Sequence, residues 1–314
     1  MGEFFTRLHS LDRRWIYLAL AATLIVSLLL GKPEIPVVLP SAQQLYDAVE
    51  QAKAGPNDAK IITIGTTFAG STMGENGNQL RAVIRHLMLR HKRFGIIAIG
   101  EPQGATLGRQ IVNDLADHYG YRYGTDWIDF GYKLSTLAFF KSLPNDIPGT
   151  LKSDVDGKPL AGFPIMRGIK TVNQNLAMHI EVTASASVFD WIQFVQSATQ
   201  PRLQIGYCPT GVMATEAYAY LDSGQLVGML PGLKGAADYE RLVDELEARE
   251  IADGLITSPI YSPKGAGANL SQSARQLMFT QGAAHMVVIL FILLGNIGLL
   301  LARRRPRPSS QEDA

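Results

Sequence analysis

The segment Ala283 to Ala302 (AAHMVVILFILLGNIGLLLA) carries no charged residue and is followed at once by Arg303, Arg304, Arg305 and Arg307. Wound as a helix, about twenty residues rise roughly 30 Å, the thickness of a bilayer's hydrocarbon core. The segment is predicted to span a membrane, so the rest of the chain must fold as something tethered there. A second charge-free run, Trp15 to Gly31, lies near the other end, after Arg7, Arg13 and Arg14. Its length suffices for a span, and Trp15 and Tyr17 suit the headgroup level. A cleaved signal peptide is the competing reading. The run is longer than a typical signal core, and no small-x-small site follows Gly31.

The arginines set the expected orientation. Both outer flanks are arginine-rich, whereas the inner flanks carry only Lys32 and Glu34 on one side and Arg275 on the other. The positive-inside rule places both termini in the cytoplasm of a two-pass plasma (inner) membrane protein and the body between the helices outside it. The expected layout is a cytoplasmic N-terminus (1–14), a spanning helix (15–31) and an extracytoplasmic α/β domain (32–269). A juxtamembrane helix (270–282), a second spanning helix (283–302) and a cytoplasmic tail (303–314) complete it.

Charge excludes one function class. Setting aside three basic and two acidic residues before Trp15, and four basic and two acidic after Ala302, leaves 22 basic and 24 acidic residues. So balanced a body has no electrostatic footprint for nucleic acid. The single Cys208 cannot form an intramolecular disulfide, so the body must be held by packing.

After Pro33, Pro36 and Pro40, a stiff spacer, Ser41 with Gln44 three residues on reads as a capping box. It opens an amphipathic helix with Leu45, Ala48, Val49 and Ala52 on one stripe, stopped at Gly55-Pro56. Strand–loop–helix units follow. Lys60–Gly65 and Phe94–Gly100 are apolar on both faces, and amphipathic helices follow from about Asn78 to His91 and up to about Tyr119. That alternation predicts a Rossmann-like α/β fold, a mostly parallel sheet with helices on both faces. Further strands are expected at Trp127–Tyr132, Leu137–Leu143, Met178–Thr183 and Leu203–Cys208, with a helix near Val188–Ser197. Pro144–Pro164 reads as loop, Ala214–Arg249 as helical with an exposed charged face at Asp238–Glu250, and Ile251–Asn269 as linker.

In open parallel sheets, ligands bind beyond the carboxyl ends of the strands. Three such loops supply ligand-binding candidates. The first, Gly65–Gly77, offers Thr66, Thr67, Ser71, Thr72, Glu75 and Asn76 ahead of a helix N-terminus, an arrangement suited to an anion or a carbonyl, or else a flexible capped connection. Its glycines fit neither a P-loop nor a G-x-G-x-x-G fingerprint. The second offers Glu101 and Gln103, where the carboxylate can serve as base, ligand or helix cap. The third offers Cys208 and Thr210. No base is placed beside the thiol, so a buried, inert Cys208 is favoured.

No catalytic signature is present. The six histidines (9, 86, 91, 118, 179 and 285) show no metal-binding spacing, and there is no G-x-S-x-G elbow. No metal and no cofactor is expected. Gly224, Gly228 and Gly232, four apart in an apolar stretch, are candidates for close packing or partner docking along one helical face. Within the spans, Asn296 should face a helix rather than lipid. Ala19, Thr23 and Ser27 lie on one face of the first span, and Gly295 adjoins Asn296. An antiparallel seam through these five, or contact of Asn296 with another subunit, is expected.

The arrangement of anchor, α/β body and anchor resembles membrane-tethered auxiliary subunits of some ABC-type export systems in layout, not in any motif. The leading expectation is a non-catalytic accessory or binding subunit whose external domain holds a partner protein or small ligand. Its partners would be the lipid bilayer and other membrane-complex subunits or further copies of the chain. The alternative is a membrane-tethered hydrolase or transferase. That would require Glu75, Glu101 and a polar group of the Cys208–Thr210 loop to converge in one cleft.

Overall fold

The computed structural model describes residues 12–30, 37–257, 260 and 273–303. Calls on Arg7, Gly31, Pro33, Pro36, most of the 251–269 linker, residues 270–272 and the arginines after Arg303 lie outside them. Two compact units are present: Met1–Pro33 with Gln276–Ala314, and Glu34–Arg275.

The larger unit is an α/β body around six strands: β1 (Ile61–Thr67), β2 (Phe94–Ile99), β3 (Trp127–Lys133), β4 (Leu176–Thr183), β5 (Ile205–Pro209) and β6 (Gly228–Met229). They pair in the order β3-β2-β1-β4-β5-β6, all parallel. This is the order of a doubly wound sheet, in which the chain runs outward from β1 and then restarts at β4 on its other side. Strand periodicity divides the core. Ile62 and Ile64 of β1 join one apolar cluster and Ile61 the other, while Met178, Ile180 and Val182 of β4 join the first.

Helices α2 (Pro40–Gln51), α3 (Asn78–Leu89) and α4 (Pro102–Tyr119) follow the spacer, β1 and β2; α5 (Gly211–Asp222) and α6 (Gly232–Ala252) follow β5 and β6. The α4 helix approaches β1 closely: a Cβ on Gly104 would lie 1.7 Å from the Thr66 carbonyl oxygen. No side chain fits there.

Local expectations fail where tertiary contacts outrank spacing. The capping box is not used, because Pro40 takes the first helical position and Leu39 precedes it without a side-chain cap. The Leu39 amide instead donates to Asp238 at 2.9 Å. The helix also ends at Gln51, before Gly55-Pro56. Leu137–Ser142 is a helix, not a strand, with Thr136 accepting from the Phe139 amide. Only Phe140 and Leu143 of that run are buried, at helical spacing. The Pro144–Pro164 stretch holds a helical turn, Ile147–Leu151.

The glycine stripe does not form. Gly224 sits in a turn at φ 71°, Gly228 lies in β6 against Leu45, and Gly232 starts α6. Met229 of that strand, and Leu226 and Leu230 on either side of it, are core residues. The acidic face of α6 also points inward: Asp238, Glu247 and Glu250 are buried. Glu247 pairs with Arg85, Glu250 with Arg90, and Asp238 with Lys234.

The smaller unit contains two helices long and apolar enough to cross a membrane, α1 (Arg13–Leu30) and α7 (Ala274–Arg303). α7 runs unbroken from Ala274 through the described remainder of the expected juxtamembrane segment. On α1, Ala19 and Thr23 are half-buried and Ser27 is buried, with Thr23 Oγ1 donating to the Ala19 carbonyl. Gln276 on α7 donates to the Ser27 carbonyl at 2.9 Å. Asn296 is outside the seam: it is exposed and donates to the Ile292 carbonyl of its own helix, so of its two expected roles contact with another subunit is the one still open. Gly298 is buried instead and Gly295 half-buried. Two positions on, Gly298 lies about 200° around the helix from Asn296.

Candidate functional site

The restart between β1 and β4 opens a cleft at their carboxyl ends, of about 450 Å³. β1 contributes Thr67 and the loop beyond it Phe68, Ser71 and Thr72; β2 leads to Glu101. Ser135 enters after β3, and Ser185, Ser187, Phe189 and Asp190 follow β4. Thus Thr67, Ser71, Thr72 and Glu101 of the sequence candidates meet here. Among the described residues no lysine or arginine lines the space. The Thr67 hydroxyl is buried without a protein partner, and such a group calls for a ligand or water.

The other candidates lie outside the cleft or are held by the scaffold, and the buried Thr66 hydroxyl has no protein partner. Thr66 is buried beneath α4, next to Gly104 and Gly108. Glu75 accepts the Gly211 amide at 2.7 Å. Asn76 donates to Gln79 and to the Thr183 and Cys208 carbonyls, and Gln79 donates to the carbonyls of Pro209, Leu230 and Gly232. This carboxamide pair ties β4, β5 and β6 together. Glu101 caps α4 by accepting the Gln103 amide, and Gln103 accepts from Gly70. Cys208 is fully buried, and burial pushes its thiol well above the usual range. Thr210 is buried before α5 without a side-chain cap.

Below the cleft lies a polar chain that the loop-based search missed. His179 and Glu181, two apart on β4, share one strand face and are fully buried. Thr63 Oγ1 lies 2.9 Å from His179 Nδ1, and His179 Nε2 lies 2.8 Å from Glu181 Oε2. Ser187 Oγ donates to Glu181 Oε1 at 2.6 Å and lies 3.1 Å from Thr183 Oγ1. Trp191 stacks on the imidazole with centroids 3.5 Å apart. Burial lowers the pKa of His179, so the ring is neutral. The hydroxyl of Thr63 then donates to Nδ1, and Nε2–H donates to the carboxylate. The chain requires Gly65, since a Cβ there would stand 1.8 Å from Glu181 Oε2. At the rim, burial first and Glu181 second raise the pKa of Asp190.

The legible signal for this chain was MHIEVT itself: two ionisable side chains on one face of an otherwise apolar strand. Among the described residues no group of histidines, cysteines and carboxylates could hold a metal ion. Comparison with protein-family models, with curated proteins and with solved structures returns no match.

Proposed function

We propose that the protein is a two-pass membrane protein whose Rossmann-like domain, outside the cytoplasm, binds a hydroxyl-bearing ligand that is neutral or cationic, as an accessory subunit of a membrane assembly. The observation that carries this is the lining of the switch-point cleft among the described residues: serine and threonine hydroxyls, the carboxylates of Glu101 and Asp190, two phenylalanines and no cation. Such a lining exchanges hydrogen bonds with hydroxyl groups and attracts an ammonium, whereas it repels phosphate. The glycine-rich first loop therefore does not serve as a phosphate cradle. Two apolar helices support the membrane assignment, and the arginine asymmetry supports the orientation.

The hydrolase or transferase reading is disfavoured by one placement. Glu75 is occupied by the Gly211 amide, and neither it nor Cys208 and Thr210 reaches the cleft of Glu101.

The test is calorimetry on the full chain in neutral detergent with glucose, glucosamine and glucose 6-phosphate. Heat from glucose or glucosamine is expected, weakened in Asp190→Asn, whereas any heat from the phosphate should be the same in that variant as in the wild type. Silence from both glucose and glucosamine, or phosphate heat that changes in Asp190→Asn, refutes the reading. Glucosamine affinity should rise with pH through the raised pKa of Asp190, as its carboxyl ionises, and Asp190→Asn should remove that rise. A reporter inserted near residue 160 should be inactive in the cytosol.

A further inference from the structure

At the amino-terminal end of the sheet, opposite the cleft, lies a second recess of about 290 Å³. It is bounded by the segments that enter the central strands: Lys60 precedes β1, Leu176 opens β4 and Arg202 precedes β5. Lys53, just beyond α2, completes the rim. Among the described residues no carboxylate lines the recess. Among the described residues none of these three cations forms an ion pair or a side-chain hydrogen bond. Three like charges around one concavity repel each other, and a bound anion converts that repulsion into attraction. The carboxamide nitrogens of Asn173 and Gln204 add neutral donors at the same rim. Beneath them the wall is apolar, with Val172 and Leu203 buried.

We propose that this recess binds a phosphorylated organic anion: the phosphate sits among Lys53, Lys60 and Arg202, and a short carbon portion lies on Val172 and Leu203. The inference is independent of the ligand in the switch-point cleft. Two sources carry this chemistry, a soluble phosphate ester and the headgroup of an anionic phospholipid.

Both are tested on the full chain in neutral maltoside micelles. One arm titrates glycerol 3-phosphate against glycerol by calorimetry. The other dopes the micelles with phosphatidylglycerol or phosphatidylcholine and measures the lipid retained after washing. Binding of glycerol 3-phosphate that weakens about tenfold in each of Lys60→Gln and Arg202→Gln, and weakens with added salt, establishes the soluble source. Selective retention of phosphatidylglycerol that is lost in the same variants, without a response to glycerol 3-phosphate, establishes the lipid source. The rim side chains pack against nothing charged, so the variants should keep the wild-type thermal transition. The milder Lys53→Gln serves if either variant does not. Glu216→Gln, exposed on α5 and outside both sites, should leave both arms unchanged. The proposal fails if neither anion is preferred over its neutral counterpart, or if the preference survives the removal of Lys60 and Arg202 together.

Discussion

His86 on α3 and His179 on β4 are both buried, and their surroundings match group for group. His86 Nε2 meets Glu50 at 2.6 Å, its Nδ1 meets the Tyr239 hydroxyl at 2.8 Å, and Tyr46 stacks on the ring at 4.3 Å. His179 has Glu181, Thr63 and Trp191 in the same three roles. What differs is the far side of each carboxylate. Glu50 also accepts from Arg90, which continues to Glu250. Glu181 accepts only the hydroxyl of Ser187 there, and Ser187 lines the cleft. An acid closed by arginine belongs to the scaffold that joins α2, α3 and α6. An acid held by neutral donors alone is sensitive to each of them, because in a low-dielectric interior every lost hydrogen bond is costly. One constellation is finished inside the protein, and the other ends at the cleft.

The largest test of that difference compares the two truncations. Glu181→Ala leaves His179 Nε2–H buried without an acceptor and opens a void beside Gly65, at a cost of about 3–4 kcal/mol. Glu50→Ala should cost about 1–2 kcal/mol, because water reaches a side chain that is 30% exposed and Arg90 keeps Glu250. Thermal unfolding of the full chain in detergent measures both. Equal losses would break the comparison.

Next in size is the glycine under the carboxylate. Gly65→Ala places a methyl where Glu181 stands and should destabilise by about 2–3 kcal/mol. In a Glu181→Ala background the same change should cost less than about 1 kcal/mol, since the obstruction is gone. Simple additivity would mean that Gly65 is needed for some other reason.

Acid resolves the pair differently. Burial above all lowers the pKa of both histidines from 6.5. Below that value the unfolded chain takes up protons that the folded one refuses, so stability falls as pH falls from about 6.5. For Glu50, burial alone would raise the pKa, but the hydrogen bonds from His86 and Arg90 outweigh it and hold the group at about 2. Its contribution is therefore present above the ordinary 4.5 and lost as pH falls through 2. Glu50→Gln should flatten this lower limb and, by removing the carboxylate that favours protonation of His86, extend the upper one to lower pH.

What was legible in the sequence follows from which forces act locally. β1, β2 and β4 could be read because strands buried on both faces show as continuous apolar runs bounded by turns. β6 could not: two residues inside a stretch whose glycines repeat every fourth position give no strand period, and the non-local pairing with β5 and packing of Leu45 against Gly228 define it. The acids of α6 read as a solvated face because Arg85 and Arg90, their partners, lie about 160 residues away. The cleft was half visible. Thr67, Ser71, Thr72 and Glu101 sit in the loops where the chemistry of open sheets places ligands. Asp190 belongs to the helix expected near Val188–Ser197 and Ser187 to the connection just before it, and only the adjacency of β4 to β1 brings them across from those loops.

The smallest expected effect is also the one that most sharpens the contrast. Ser187→Ala removes one donor to Glu181, but the position is half-buried on the cleft, so water can take the hydroxyl's place. The loss should be about 0.5–1.5 kcal/mol, well below that of Glu181→Ala. In a closed scaffold that would be the whole consequence. If the His179–Glu181 chain ends at the cleft, a ligand hydroxyl can occupy the vacated site and donate to Glu181 Oε1. The stabilisation that a saturating cleft ligand gives should then be larger in the variant than in the wild type. Unfolding temperatures with and without that ligand measure this directly, and an identical ligand shift in both proteins would place Glu181 with Glu50, as scaffold.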